Sequence, residues 1–350
     1  MAGTFKKLVC VAPEKLEWQE LPVQHPGPDE VLIKNDFAAA KHGTEMSFYK
    51  GYGARRGSWD GKRQIFVQST SPAPAPHAEG LGNMAVGTVI EAGGGVTALK
   101  AGDRVISYSG FSEQAVRKAD CNFDTCWKVP KDVPWQSAVC ADPADFAVAA
   151  CRDGEVRVGD AVAVFAMGAI GLVAVQIAKL SGAYPIIAVD LFEKRLNAAR
   201  TLGADAVLKP NECDVGAELK KLTGNRGVDV AIEYSGSVPA LQAAIRGAAY
   251  GGTVVCGAYP PPYGAGLDFG GEAHMNTPRI VFSRSCSEPN RDHPRWTHNR
   301  IYETGWRLIC EGRIDGTKIV DPVVPFAELL VEYPKIATHP AENIKLGARF

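Results

Sequence analysis

The sequence has no run of 18 or more apolar residues, and its N-terminus, MAGTFKKLVCVAPEKLEW, has neither the apolar core nor the cleavage site of a signal peptide. These absences argue against a membrane-spanning helix and predict a cytoplasmic protein with no membrane partner. The formal net charge is only −1, which removes any global attraction to nucleic acid. The nine cysteines lack regular spacing, which is typical of reduced thiols rather than of a disulfide framework.

The stretch from Gly159 to Asp190 carries the clearest pattern in the chain. An apolar strand, Ala161 to Phe165, leads through a glycine-bearing turn into a helix that is apolar almost all round. Gly182 ends that helix, and a second apolar run, Pro185 to Val189, ends in Asp190. Strand, glycine turn, buried helix, strand and acid form the layout of a dinucleotide-binding βαβ unit.

Each residue of this turn has a predicted role. Gly168 lets the backbone approach a pyrophosphate, and Gly171 lets the helix pack closely on the strand. The free N–H groups at the start of the helix, at Ala169 and Ile170, face the phosphates. Asp190 accepts the ribose hydroxyls and would repel a 2′-phosphate, which favours NAD over NADP.

The fingerprint is incomplete, because its first position is Ala166 rather than glycine. A tight strand–helix turn with no ligand is the alternative interpretation. Lys194 and Arg195 follow Asp190 and give a mild signal for NADP, although such residues more often form a solvated helix face.

The 350 residues suffice for two domains or one large one. Short apolar runs separated by Gly, Pro and Asp turns predict a small β-barrel in the first 140 residues, with long polar loops at Lys41–Gly61 and Ser69–Asn83. The remaining predicted elements are helices at Glu193–Leu202 and near Tyr302–Glu311, and strands at Val228–Tyr234, Thr253–Cys256, near Ile280–Ser283 and at Glu342–Arg349.

This order of elements resembles the medium-chain dehydrogenase/reductase superfamily, the zinc alcohol dehydrogenase family in its broad sense. The segments Gly87–Val105 and Gly227–Ala258 are similar to a barrel strand with its turn and to the fourth and fifth Rossmann strands of that family. The resemblance implies an α/β protein with a GroES-like catalytic barrel (1–147), a doubly wound parallel-sheet Rossmann domain (148–288), a return to the barrel (289–350) and a substrate cleft between the domains. It also implies cofactor contacts at Arg195, Ser235, Gly257 and Ala258.

The same resemblance places the family's metal ligands, and here the sequence departs from it. His42 stands where zinc-dependent members have cysteine, while Thr44 keeps the hydroxyl that relays the substrate proton. Asn83 and Met84 replace the His and Glu of the next motif, and Asp142 matches the third ligand. Zinc prefers about three N, S or O ligands plus an open position.

The four-cysteine lobe that holds structural zinc in the family is also missing, since only Cys121 and Cys126 lie nearby. We therefore predict a zinc-independent member with no metal site. A remodelled metal site with His42 and Asp142 is the alternative.

Without zinc, a side chain must handle the proton while the nicotinamide handles the hydride. We predict Lys41 or His42 as the general acid/base, with Thr44 bonded to the reacting oxygen. Asp142 would orient the base or bind a substrate hydroxyl, and Asn83 would donate a hydrogen bond to the reacting oxygen. The alternative interpretation is that His42 is a structural histidine and that Lys41 is a solvated cation.

Two peripheral segments, Gly53–Arg63 and Asn290–Arg300, are rich in Arg, His and Trp. Arg295, Trp296 and His298 offer a flat apolar face with polar groups, the mixture that binds sugars, although solvated loops or dimer contacts explain them equally well.

Three functions follow from the residues and the resemblance. The first is an NAD-dependent secondary-alcohol dehydrogenase or ketoreductase that acts on a small-molecule sugar, sugar acid or cyclic polyol. The alternatives are an NADPH-dependent quinone or enoyl reductase and a non-catalytic nucleotide-binding protein. The apolar strand near Ile280 would suit the edge-to-edge pairing by which relatives form homodimers or homotetramers.

Overall fold

The computed structural model describes residues 3–52, 57–67, 78–120 and 126–350. Within them the chain forms two compact units. The first consists of residues 1–128, 323–340 and 346–350, and the second of residues 129–322 and 341–345. The first part of the predicted loop at Ser69–Asn83, Cys121 and the first part of the Gly53–Arg63 segment lie outside the described residues.

The first unit is built from antiparallel strands. Its strands and its main helix are β1 (Thr4–Ala12), β2 (Lys15–Pro22), β3 (Glu30–Ala39), α1 (His42–Tyr49), β4 (Ser58–Asp60), β5 (Ile65–Val67), β6 (Glu79–Gly80), β7 (Met84–Ala92), β8 (Arg104–Ser107), β9 (Gln114–Lys118) and β10 (Cys126–Lys128). The main sheet has the order β10-β8-β7-β3 and continues through two strands from the end of the chain, with β9 also paired to β3. This arrangement is the GroES-like barrel that was predicted.

The predicted long loop at Lys41–Gly61 is wrong in part, because it contains α1 and β4. The side chains that α1 buries are Glu45, Ser47 and Tyr49, two of them polar, so the segment shows no apolar helical stripe. Its stability comes from tertiary contacts that a sequence pattern does not show.

The second unit is a doubly wound parallel sheet. Its elements are α2 (Trp135–Ala138), α3 (Ala141–Asp153), β11 (Val162–Phe165), α4 (Ala169–Leu180), β12 (Ile186–Val189), α5 (Glu193–Leu202), β13 (Ala206–Leu208), α6 (Val215–Leu222), β14 (Val228–Glu233), α7 (Val238–Gly247), β15 (Ala248–Cys256), α8 (Glu272–Asn276), β16 (Arg279–Phe282) and α9 (His298–Cys310). The strand order β13-β12-β11-β14-β15-β16 is the Rossmann order 3-2-1-4-5-6. The fold prediction is therefore confirmed.

The predicted elements of this unit follow from their residues. The four residues of β11 and the four of β12 are all buried and apolar, as a strand covered on both faces requires. Gly182 (φ +82°) and Gly203 (φ +114°) end α4 and α5 in the left-handed conformation that favours glycine.

The compact units differ from the domain boundaries predicted at 147 and 288, which stay a prediction. Residues 129–147 and 289–322 pack with the second unit, because α3 lies against both α4 and α9. At this contact Gly305 leaves room for Ala144, since a Cβ on Gly305 would lie 3.0 Å from the Ala144 Cβ.

The chain ends with β17 (Val320–Pro325), a 3₁₀ turn (Phe326–Glu328), α10 (Leu329–Glu332), α11 (Lys335–Thr338) and β18 (Lys345–Arg349). β18 pairs antiparallel with β3, and β17 follows it in the barrel sheet. Among the described residues, no helix has both the length and the apolar character needed to cross a bilayer.

β16 is the edge strand of the parallel sheet, and the side chain of Phe282 at its end is 77% exposed. The predicted homodimer or homotetramer stays a prediction.

Candidate active site

The turn between β11 and α4 has the geometry that a bound pyrophosphate requires. A Cβ on Gly171 would lie 1.9 Å from the Ala166 carbonyl oxygen, so only glycine permits this helix–strand contact. A Cβ on Gly168, the residue that precedes α4, would meet no atom within 4 Å. The turn therefore leaves open space at the helix N-terminus, where the N–H groups of Ala169 and Ile170 begin the helix.

Ala166, the departure from the glycine fingerprint, adopts φ +72°. This is the left-handed conformation that glycine takes at no steric cost, so the chain keeps the backbone of the fingerprint without its first glycine.

Asp190 follows β12 and faces the same turn. Its carboxylate accepts hydrogen bonds from the N–H groups of Met167 (2.6 Å) and Phe192 (2.9 Å), which fix its orientation. Arg195 lies beside it, with 3.8 Å between Nη1 and the Asp190 Oδ2. The Arg195 Nε and Nη2 both donate to the carbonyl oxygen of Asn343, at 3.1 and 2.8 Å.

The loops after β14 and β15 carry the other predicted cofactor residues. The backbone N–H of Ser235 donates to the Glu233 carboxylate at 2.5 Å, and so does its hydroxyl. Burial raises the pKa of Glu233, which lies under this loop. A Cβ on Gly257 would lie 2.4 Å from the ring of Tyr234, so glycine is required there. Ala258 follows it, half-buried, at the same end of the sheet.

Two residues predicted for different roles, Asp142 and His298, lie in one buried cluster of the second unit. His298 Nε2 lies 3.0 Å from the Asp145 Oδ2, and both side chains are almost fully buried. Burial raises the pKa of Tyr302, and the nearby carboxylates of Asp142 and Asp145 raise it further. Asp145 and Tyr302 were not predicted. The structure thus pairs His298 inside the unit rather than presenting it to solvent.

The ring of Trp296 is in contact with two arginine side chains. The guanidinium carbon of Arg152 lies 3.6 Å from its ring centroid, and that of Arg300 lies 4.2 Å from it. Both guanidinium groups therefore lie within cation–π distance of this ring. The side chain of Arg295 is exposed, and its carbonyl accepts a hydrogen bond from Arg300. The predicted sugar-binding role of Arg295, Trp296 and His298 stays a prediction.

In the first unit, Lys41 and His42 mark the start of α1. The Leu346 N–H, on β18, donates to the Nε2 of His42 at 3.0 Å. Because an accepting nitrogen carries no proton, His42 is a neutral imidazole here, and its proton lies on Nδ1. Lys41 precedes the helix and is half-buried.

Thr44 lies in the first turn of α1, and Asn83 immediately precedes β7. Thr44 is half-buried, and its carbonyl accepts from the Ser47 hydroxyl at 2.6 Å. The Asn83 Nδ2 is buried and has no hydrogen-bond partner among the described residues. A buried donor without a partner costs about 1–3 kcal/mol, so this amide is suited to an acceptor supplied by a ligand.

Comparison with known proteins agrees with the two-unit fold described above. Residues 27–132 match the alcohol dehydrogenase GroES-like domain, and residues 169–288 match the zinc-binding dehydrogenase family model. D-guloside 3-dehydrogenase of Escherichia coli (strain K12) is 43% identical over 351 residues, which cover 99% of this chain and 100% of that protein. The chain belongs to the medium-chain dehydrogenase/reductase superfamily.

Two solved structures show the same fold with a cofactor bound. An alcohol dehydrogenase from Escherichia coli CFT073 complexed with NADH has a TM-score of 0.77 at 19% identity, and the match covers 99% of both chains. A Sinorhizobium meliloti 1021 protein bound to NADP also has a TM-score of 0.77 at 19% identity, over 99% of this chain and 100% of that one.

As a medium-chain dehydrogenase, the protein is an NAD(P)-dependent enzyme that acts on CH–OH groups. The open space at Gly168 and the adjoining Asp190 carboxylate fit a dinucleotide, which supplies the hydride acceptor when bound.

Zinc, which part of this superfamily uses, fits the donors of this chain poorly. In the described ranges, no group of three or more His, Cys, Asp and Glu is arranged to hold a metal. The Nε2 lone pair of His42 is used by Leu346, and Asn83 offers only a neutral amide. These donors fall short of the three ligands that zinc prefers. Zinc independence stays a prediction.

Sequence reasoning missed the carboxylates that hold the site residues in place. Glu45 accepts from the backbone N–H of Lys41, and Glu233 binds the loop of Ser235. No capping pattern pointed to Glu45, because it lies four residues after Lys41, whereas the glutamate of a capping box lies three residues after a Ser or Thr.

Proposed function

We propose that the protein is an NAD-dependent, metal-independent dehydrogenase that oxidises a secondary ring hydroxyl of a glycoside. The substrate class rests on the 43% identity with D-guloside 3-dehydrogenase, which extends over nearly the whole of both chains. By this likeness, the reaction converts the 3-hydroxyl of a D-guloside or related hexoside to a ketone.

The observation that carries the mechanism is the hydrogen bond from the Leu346 N–H to the His42 Nε2. This bond occupies the lone pair with which His42 would accept a proton, and it leaves Lys41 as the proton carrier. In the oxidation, a bound nicotinamide would accept the carbon-bound hydrogen as hydride, and Lys41 would take up the hydroxyl proton. Thr44 and the Asn83 Nδ2 donate hydrogen bonds to the reacting oxygen.

Asp142 would orient the substrate or the base, as the resemblance implies. It lies in the cluster with Asp145, His298 and Tyr302, and the proposal assigns no proton transfer to that cluster.

The preference for NAD rests on the residues that follow β12. The carboxylate of Asp190 is fixed by two N–H groups, and a 2′-phosphate would meet its negative charge. The two cations that would favour NADP already have other contacts, because Lys194 donates to the Glu342 carbonyl at 2.7 Å and Arg195 donates to that of Asn343. The Nη1 of Arg195 lies 3.8 Å from the Asp190 carboxylate, whose charge a 2′-phosphate would have to approach.

The test is NADH formation with NAD or NADP and a panel of methyl hexosides, inositols and simple alcohols, with and without a strong chelator. Wild type is compared with Lys41→Ala, His42→Gln and Lys50→Ala. Lys50 lies at the opposite end of α1, paired with Glu14, and serves as the matched control.

We expect Lys41→Ala to lower kcat by about 10²–10⁴-fold, the range for loss of a general acid/base, while Lys50→Ala has no effect. His42→Gln keeps an acceptor for the Leu346 N–H and should retain most activity. An equal loss of kcat in His42→Gln would instead assign the proton transfer to His42. Loss of activity on chelation, with recovery on adding zinc, would refute the metal-independent mechanism.

A further inference from the structure

Three separate segments of the first unit meet on the carboxylate of Glu45. This side chain is 5% exposed. It accepts hydrogen bonds from the Lys41 backbone N–H, from the Gly82 N–H at 3.1 Å and from the Tyr333 hydroxyl at 2.7 Å. Lys41 precedes α1, Gly82 precedes β7, and Tyr333 follows α10.

A carboxylate is a costly choice for this position if packing were its only purpose. Burying an ionised carboxyl is unfavourable unless hydrogen bonds replace its lost water, and here three donors do so. Burial raises the pKa of Tyr333 well above its ordinary value, and the Glu45 charge adds to this effect. The hydroxyl therefore stays protonated and remains a donor.

The Gly82 side of this junction is held firmly. Gly82 adopts φ +81°, and a Cβ there would lie 2.4 Å from the Phe111 nitrogen. The Asn83 N–H donates to the Ala39 carbonyl at 2.9 Å, and its carbonyl accepts from the Gly110 N–H at 3.1 Å. These contacts hold the backbone at Asn83 in place. The Glu45 carboxylate connects this backbone to that of Lys41 through hydrogen bonds.

We infer that Glu45, together with Tyr333, is a positioning residue that sets Lys41 relative to Asn83. The inference rests on the proposed function, in which Lys41 takes the proton and Asn83 donates to the reacting oxygen. Glutamine cannot replace Glu45, because it has one acceptor oxygen and its NH₂ group would face at least one of the three donors.

The experiment compares Glu45→Gln and Tyr333→Phe with Tyr49→Phe. Tyr49 is the matched control, because it packs edge-on against Tyr333 with 5.7 Å between ring centroids. Its hydroxyl lies in the field of Glu14 and Lys50 instead. Two readouts are taken on each full-length protein: amide hydrogen exchange of the peptides that cover 41–45 and 81–84, and kcat with KM for the glycoside and NAD.

We expect both peptides to exchange faster in Glu45→Gln and Tyr333→Phe and to stay unchanged in Tyr49→Phe. We expect kcat to fall by about 10–100-fold in Glu45→Gln, since small misplacements of reacting groups cost this much, with KM for NAD unchanged. Tyr333→Phe removes one donor only and should lower kcat several-fold, which keeps the test valid if Glu45→Gln folds poorly.

Faster exchange in only one of the two peptides would overturn the inference, and so would a kcat for Tyr333→Phe equal to that of Tyr49→Phe. If the wild type oxidises no glycoside with either cofactor, the proposed function fails. The exchange data then still decide whether Glu45 joins the two segments.

Discussion

Gly168 and Gly171 lie three residues apart in the turn after β11, and alanine at each should have opposite effects. Gly168 has φ −75° and ψ −172°, extended backbone that any residue adopts, and its Cβ would point into open space. Gly168→Ala should therefore leave the stability of the cofactor-free protein unchanged or raise it by about 0.4–1 kcal/mol, through the smaller entropy of the unfolded chain.

The same methyl group occupies the space in which a pyrophosphate would approach the backbone. We expect the Kd for NADH to rise at least about tenfold in Gly168→Ala, a loss of about 1.4 kcal/mol. Gly171→Ala differs, because its Cβ would lie 1.9 Å from the Ala166 carbonyl oxygen and the start of α4 must move. Overpacking of this kind destabilises a protein by about 1–3 kcal/mol, so the fold itself should suffer.

The assay measures thermal unfolding without cofactor and NADH binding by fluorescence titration, for wild type and both variants. Wild-type affinity for NADH in Gly168→Ala would show that the cofactor does not use this turn. An unchanged melting temperature in Gly171→Ala would show that the helix–strand contact does not need glycine.

Asp190→Asn should lower the ratio of kcat/KM with NAD to that with NADP by about tenfold, because the charge that repels a 2′-phosphate is lost; an unchanged ratio would place the discrimination elsewhere. Trp296→Ala should lower the melting temperature while KM for the glycoside stays unchanged, since each lost cation–π contact is worth about 0.5–1 kcal/mol. A raised KM of Trp296→Ala at an unchanged melting temperature would instead support a sugar-binding role for Trp296. Burial raises the pKa of Asp145 above its ordinary value, so its contribution to stability is complete below the unfolded-state pKa and is lost as the pH rises through the folded-state pKa. The melting temperature of Asp145→Asn, relative to that of wild type, should therefore be higher near pH 8 than near pH 4. A difference in melting temperature that does not change with pH would contradict this.

The sequence predicted the second unit well because its signals are local. Apolar strands, the helix after Gly168 and the acid at Asp190 lie within one continuous stretch, and each residue type serves a nearby need. The first unit was harder, because α1 buries Glu45 and Ser47, and their partners come from distant segments. Gly82 and Tyr333 approach Glu45 only in the folded chain.

In the candidate site, too, some residues are predicted by local patterns and others depend on contacts with distant segments. Lys41, His42 and Asn83 were predicted from their positions in a family motif, but the proposal of Lys41 rather than His42 rests on the Leu346 N–H, which no local pattern reveals. Trp296 was predicted to bind sugar from its composition alone, and the stacking of Arg152 on its ring depends on a helix far away in the sequence.

The pairing of β18 with β3 has a consequence for the order of folding during synthesis. β3 emerges early from the ribosome, but its partner β18 emerges only after residues 129–322 of the second unit have been made. That unit can therefore fold while the barrel is still open, since domains generally fold as units as the chain emerges. The hydrogen bond from the Leu346 N–H to His42 forms last, so a nascent chain would acquire the cofactor turn before the contacts at the start of α1 are complete.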